Sequence, residues 1–327
     1  MPTSAPGVTL RVAEGGLLSG RNRSWTVTCA PTSIGWASSL SRRRSTPCDA
    51  CIAQVERIPY ETVWLHLGEP WTADPVAALI RIARHGRGGY CFHVNGAFGE
   101  LLRALGYQVT RHVGGVHGPQ GPDPGALSNH LVLTVTGLPT DDHPSGLWYV
   151  DAGLGDGLYE PLPLRPGTFR QGPYQFTLEQ EIDGVGSWHL LHDPQLGSFT
   201  GMSFDLAPAA TDAFDVRHRF LATSPASNFA RTVTAQLRHA DGTEMLRGLV
   251  LSSVGTGDGT ARVLLERDEW FDVLADRFGL ALDDVAPNAK DRLWARSLDA
   301  HQSWETSQSP ARPASVSSYS KRGSRQS

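Results

Sequence analysis

Cys91 stands at the head of residues 92–105, where Val94, Phe98, Leu101, Leu102 and Leu105 recur at helical spacing and Gly106 supplies a stop. A cysteine that opens a helix meets the positive end of the helix dipole, a setting that favours the nucleophilic thiolate. Gly88 and Gly89 just before it would let a substrate carbonyl approach the backbone, whose free N–H groups could hold an oxyanion. A lone cysteine also serves well as a small core residue, so its partners decide. Two alternating runs supply candidates. Residues 130–136 set Leu131, Leu133 and Val135 against His130, Val132 and Thr134, and a second run covers 147–152. If the two form an antiparallel hairpin turning at residues 139–142, partner numbers sum to about 281, so His130 lies opposite Asp151 within about one residue. Such a pair can be a mere surface contact. Joined to Cys91, it becomes a nucleophile system: the carboxylate orients the imidazole and the imidazole takes the thiol proton.

The elements that must hold these groups follow from periodicity and turn chemistry. Residues 107–113, 174–182 and 188–192 read as strands, and 232–239 and 244–251 flank the hairpin signal Asp241-Gly242. Helices are expected over 268–278 and 283–298. With 327 residues there is room for two or three domains, and 35 glycines plus 22 prolines point to many turns and much β-structure. A net charge of -4 from 29 basic and 33 acidic residues leaves no footprint for nucleic acid or an anionic membrane, which favours a small-molecule ligand. No run is long and apolar enough to span a membrane and no signal peptide is evident, so a cytoplasmic location is expected. Cys48 and Cys51 form a single C-x-x-C with no second pair, and His112, His117, His189 and His192 lack metal-ligand spacing, so no metal is expected. Those histidines read as solvated or structural. Residues 303–327 hold nine serines and little apolar surface, and read as a disordered tail.

Arg87-Gly88-Gly89-Tyr90-Cys91-Phe92, then Asn129-His130-Leu131-Val132-Leu133, then Tyr149-Val150-Asp151-Ala152-Gly153-Leu154-Gly155 resemble, in order and spacing, the three signature blocks of bacterial-type arylamine N-acetyltransferases. Arg57-Ile58-Pro59-Tyr60-Glu61 resembles the block upstream of the nucleophile, and Phe278-Gly279-Leu280 the C-terminal domain. The resemblance implies an α+β multidomain fold with a triad arranged as in cysteine proteases. Residues 52–110 would form a helical domain carrying the catalytic Cys91, 111–220 an antiparallel β-barrel carrying His130 and Asp151, and 221–302 an α/β lid. The implied chemistry is ping-pong transfer of acetyl from the cosubstrate acetyl-CoA, through a Cys91 thioester, to an arylamine, arylhydrazine or similar small amine, as in xenobiotic metabolism. Gly153 and Gly155 would lie beside CoA, and Phe92 and Leu154 beside the acceptor. The sequence departs from the family pattern at three places. Leu154 replaces a common aromatic residue and should widen the acceptor mouth, His93 replaces an acidic residue, and Thr62 an asparagine. Glu61 and Arg87 either pair to brace the site or are two unrelated surface charges. The same triad also serves amide synthases and hydrolases, from which dependence on CoA separates a transferase.

Family members open with two helices before the Ile-Pro block, and residues 1–51 show neither. Residues 9–18 and 38–45 lack periodicity, and Arg42, Arg43 and Arg44 fall where a helix should enter. If each codon is rebuilt from the last base of one and the first two of the next, the position of Thr26 encodes aspartate, that of Ala37 glycine, and that of Asp49 arginine or a stop. The constrained positions agree with the family. Residues 1–51 therefore read as frameshifted and poorly ordered, a change that could leave the chain catalytically impaired and would deprive Cys29, Cys48 and Cys51 of meaning.

Overall fold

The computed structural model describes residues 9–13, 26–30, 47–118, 120, 121, 126, 128–182, 186–255, 259 and 261–308. Strands β1 (Thr9–Ala13) and β2 (Thr26–Ala30) pair antiparallel. The helical part follows: α1 (Pro47–Val55), the short strand β3 (Tyr60–Glu61), α2 (Val63–Leu67), α3 (Pro75–His85) and α4 (Cys91–Ala104). Helix α3 starts where sequence demands it. Asp74 caps it by accepting from the Ala77 N–H at 2.6 Å, Pro75 occupies the first turn, and Gly86 ends it in the left-handed conformation. Its Pro75, Ala78, Leu79 and Ile82 form one buried stripe, and Ala78, Leu79 and Ile82 share an apolar cluster with Phe92, Val94, Phe98, Leu101 and Leu102 of α4.

Eight strands form a nearly closed antiparallel barrel: β4 (Gln108–His117), β5 (His130–Thr136), β6 (Trp148–Val150), β7 (Leu162–Pro163), β8 (Gly167–Gln171), β9 (Tyr174–Ile182), β10 (Gly186–Leu191) and β11 (Gly201–Pro208). Strand β5 is buried on both faces. Leu131, Leu133 and Val135 pack with α4, while Val132 packs in a second cluster with Tyr149, Phe176 and Phe204. Helices α5 (Asp215–Thr223) and α6 (Asn228–Arg231) lead to a five-stranded sheet of β12 (Thr234–His239), β13 (Gly242–Arg247), β14 (Val250–Val254), β15 (Arg262–Val263) and β3. Helices α7 (Arg267–Phe278) and α8 (Pro287–Gln308) complete it, with Trp270, Leu274, Phe278 and Leu293 in a third buried cluster. Strand β3 joins this sheet through Gln236↔Tyr60 and Ala235↔Glu61, so the helical part is stitched to the last one by backbone pairing.

Several expectations require correction. Helical order begins at Pro47 and not at 52: Pro47 at the helix start and Asp49 in its first turn suit an N-terminus, and Ala50 and Cys51 are fully buried beside the core of α4. Thr9–Ala13 and Thr26–Ala30 are strands, whereas residues 31–46, which hold most of the proposed frame anomaly, lie outside the described residues. Sequencing the gene across codons 25 to 53 tests that expectation. The run 244–251 is two strands, because Gly248 adopts φ +60° and turns the chain between them. The last helix reaches Gln308, past the tail boundary at 303; the remaining tail lies outside the described residues.

Candidate active site

The loop that delivers Cys91 is fixed by contacts rather than left open for substrate. Gly89 adopts φ +76°, and a Cβ there would meet His93 Nδ1 at 2.5 Å. The buried Glu61 carboxylate accepts from the Gly89 N–H at 3.2 Å and the Trp64 N–H at 3.3 Å, so the Gly89 N–H is occupied and is no oxyanion donor. Burial pushes the Glu61 carboxyl up; the Arg87 guanidinium opposes this. Arg87 itself pairs with Glu69 at 2.8 Å and lies 4.9 Å over the Trp71 ring. Glu61 thus braces the loop before Cys91 directly, and of the two readings for Glu61 and Arg87 neither holds as stated: both are buried, and Arg87 pairs with Glu69.

Tyr90 is the extended N-cap of α4 and Cys91 its first residue, 4% exposed. The Cys91 thiol donates to the Asn129 carbonyl at 3.5 Å. Asn129 is held by two side-chain bonds to the Val116 backbone, at 2.8 and 3.1 Å, and follows Ser128, a non-glycine residue at φ 87°. Strain beside Asn129 and His130 sits where chemistry needs fixed geometry. His130 Nε2 bonds Asp151 Oδ2 at 2.7 Å, which leaves Nδ1 for the sulfur. The observed pairs Leu133↔Val150 and Val135↔Trp148 place the register two residues from the expected one, so His130 meets Asp151 as a diagonal neighbour just past the end of β6. A shift of two preserves the faces, which is why the two side chains still meet.

Asp151 is fully buried and satisfied on both oxygens. Oδ2 also accepts from the Tyr149 hydroxyl at 2.8 Å, and Oδ1 accepts from Asn95 Nδ2 at 2.7 Å and from the Gly153 N–H at 2.9 Å. Burial alone would depress the His130 imidazole. The Asp151 charge and hydrogen bond, with the Cys91 side chain, outweigh it and hold His130 at about 10. Asn95 was not foreseen as a site residue, though its i+4 spacing from Cys91 puts both on one face of α4. It donates to the Leu131 carbonyl at 2.7 Å and accepts from the Ala152 N–H at 2.9 Å, tying helix, strand and turn together.

Cys91 and His130 lie in a cavity of about 440 Å³, whose wall includes Tyr60, Asn129, Gly153, Leu154, Phe199, Phe220, Phe229 and Arg247. A Cβ on Gly153 would fall 3.0 Å from the Cys91 Cα, so glycine is needed for the turn to pack this closely. Gly155 lines a separate small crevice with Gln236 and Arg238. At φ +70°, its Cβ would meet Gln236 Oε1 at 1.7 Å; Gly155→Ala is therefore expected to cost about 1–3 kcal/mol, read from urea unfolding. Leu154 lines the main cavity. Phe92 does not: one residue round the helix from Cys91, it is fully buried against Tyr90 and Phe214.

The histidines His112, His117, His189 and His192 are structural and not solvated. His112 bonds Thr134, His117 and His189 share the Ser203 hydroxyl, and His192 bonds the Asp156 carbonyl, all buried. Among the described residues no group of His, Cys, Asp or Glu is arranged to hold a metal ion, and no helix is long and apolar enough to cross a membrane.

A cysteine at a helix start thus stands near a barrel-borne His–Asp pair at the bottom of a cavity, an arrangement suited to nucleophilic acyl chemistry. The family model described as N-acetyltransferase matches residues 49–286. The chain is 30% identical over 240 residues to the arylamine N-acetyltransferase of Mycobacterium bovis, covering 70% of this chain and 80% of that protein. It is 30% identical over 256 residues to the Mycolicibacterium smegmatis enzyme, covering 74% and 87%. The structure of the Mycobacterium marinum arylamine N-acetyltransferase in complex with CoA superposes with a TM-score of 0.67 at 27% identity, over 78% of this chain and 92% of that one. The chain belongs to the arylamine N-acetyltransferase family and is an N-acetyltransferase.

Proposed function

We propose that Cys91, His130 and Asp151 form the catalytic triad of a ping-pong transferase that carries acetyl from acetyl-CoA to a small arylamine or arylhydrazine. The observation that carries this reading is the buried 2.7 Å bond from Asp151 to His130, with His130 and Cys91 lining the floor of one cavity. The Cys91 sulfur, its proton held on His130, attacks the acetyl carbonyl. The C–S bond to CoA breaks, and the CoA sulfur leaves with the proton returned by His130. A neutral aromatic amine then attacks the Cys91 thioester; His130 takes the amine proton and keeps it beside the Cys91 sulfur as the amide is released, which restores the starting pair. Asp151 keeps the imidazole in register and stabilises its charged form. The exchange of one thioester for another is close to balanced in free energy, which suits a ping-pong first step.

The third part of the chain acts as the lid in this reading, because Phe229, Thr234, Gln236 and Arg247 from α6, β12 and β13 wall the cavity that Cys91 opens into. Mixing the protein with acetyl-CoA and no acceptor tests the proposal. One acetyl group on the Cys91 peptide, discharged by adding an arylamine, is expected; free thiol release without an acetylated Cys91 would overturn it.

Leu154, 7% exposed on the cavity wall, sets part of the acceptor space. Leu154→Phe is expected to lower kcat/KM for bulky arylamines about 10-fold more than for small ones, since pocket shape discriminates by about 1–3 kcal/mol. Parallel rates with aniline-sized and naphthyl-sized acceptors check it; equal changes for both would remove Leu154 from the acceptor wall.

A further inference from the structure

The register of the last sheet selects which of its side chains face the cavity. Thr234 and Gln236 alternate on β12, Met245 and Arg247 alternate on β13, and the pairs Thr234↔Arg247 and Gln236↔Met245 stand side by side. All four line the cavity that holds Cys91. The Gln236–Met245 pair is the inner row, because Gln236 is packed against Gly155 of the turn that follows Asp151. Arg247 lies one row further out and is exposed, whereas Cys91 and His130 are buried at the floor.

Charge makes Arg247 distinctive. Apart from Cys91 and His130, the described cavity wall carries no histidine, no carboxylate and no lysine, and Arg247 is its one guanidinium. The other buried or half-buried arginines nearby are engaged: Arg238 donates to the Gly157, Gln171 and Gly242 carbonyls, and Arg87 pairs with Glu69. The Arg247 side chain has no hydrogen bond or ion pair with any described residue. A free planar fork of donors, at the rim of a cavity with no competing carboxylate, fits a phosphate oxyanion.

We propose that Arg247 reads a phosphate of the acyl donor and so selects a phosphorylated carrier thioester over a bare one. This rests on the reading of acetyl-CoA as donor: the acetyl sulfur reaches the floor at Cys91, and the phosphates of its carrier, at the far end of the pantetheine arm, stay at the rim. Acceptor amines, which carry no phosphate, gain nothing from this residue.

The test compares acetyl-CoA, acetyl-dephospho-CoA and S-acetylpantetheine as donors for the unaltered protein, Arg247→Gln and Arg247→Lys, following thiol release with a saturating arylamine. The ratio of kcat/KM for acetyl-CoA to that for S-acetylpantetheine is expected to fall about 10-fold in Arg247→Gln, the scale of one charge-assisted contact, and to be largely restored in Arg247→Lys. Added salt should lower that ratio in the unaltered protein and leave it flat in Arg247→Gln. A loss confined to acetyl-CoA against acetyl-dephospho-CoA marks the 3′-phosphate as the group read; a loss shared by those two marks the diphosphate. A ratio within about twofold of the unaltered protein's, or an equal loss with all three donors, overturns the assignment of Arg247. Failure of every donor to acetylate Cys91 in the unaltered protein overturns the donor reading itself.

Discussion

Cys91→Ser is expected to lower acetyl transfer at least about a thousandfold, the scale on which single members of such triads act. Serine keeps the size and the helix-start position of the residue, so the fold has little reason to change. What it loses is the ease of ionisation: an imidazole can strip a thiol at neutral pH far more completely than it can a hydroxyl. Any acetyl that did reach the hydroxyl would sit in an oxygen ester, a poorer acyl donor to a weakly basic aromatic amine than a thioester. Two measurements separate chemistry from folding. The Cys91→Ser protein should unfold in urea within about 1 kcal/mol of the unaltered chain, while its tryptic peptide spanning Tyr90 and Phe92 gains no acetyl group from acetyl-CoA. Retention of more than about a thousandth of the rate would refute a nucleophilic role for Cys91.

Asp151→Asn is expected to cost about 10³- to 10⁴-fold in kcat/KM, because the amide offers a donor where His130 needs a fixed negative partner. Asp151 holds four contacts, to His130, Tyr149, Asn95 and the Gly153 N–H, and the substitution leaves the shape while removing the charge. The same change alters how stability depends on pH. Burial would lower the His130 pKa, but Asp151 raises it to about 10, above its ordinary value. A raised pKa means that the folded chain binds this proton more tightly than the unfolded chain. The stabilisation is therefore complete below about pH 6.5 and is lost as pH rises through about 10. Urea midpoints of the unaltered protein and Asp151→Asn should stand furthest apart near pH 6 and converge as pH approaches 10. A gap independent of pH over that range would show that Asp151 does not hold His130 protonated in the fold.

The legible part of the site was the part written in local patterns. The periodicity from Val94 to Leu105 gave α4, which runs Cys91–Ala104, and the alternation from Leu131 to Val135 gave β5 with its bounds. The hairpin arithmetic brought His130 to Asp151 with a register error of two, tolerable because strand faces repeat every two residues. Where local patterns were silent the reading failed. Pro47–Cys51 shows no periodicity of its own, yet Ala50 and Cys51 contribute to the helical core. A short helix shows too few turns to reveal its face without the surface it packs on.

The sequence by itself determined the cysteine at a helix start, the strand pair that brings His130 and Asp151 together, and the family to which these blocks belong, since each depends on residues close along the chain or on motif order. Only the tertiary structure decided what surrounds them. Asn95 became the knot of the site because α4, β5 and the turn after β6 converge on it, and Glu61, not an Arg87 ion pair, proved to brace the loop before Cys91. Phe92 left the acceptor list for the core, and His112, His117, His189 and His192 went from presumed solvent or structure to buried bonds. The cavity wall itself joins Leu154 to Phe229 and Arg247, which lie 75 and 93 residues further along the chain. The physical reason is the same in each case: periodicity reports which face of an element is apolar, while which distant element covers that face, and which hydrogen bonds close there, is settled only when the whole chain packs.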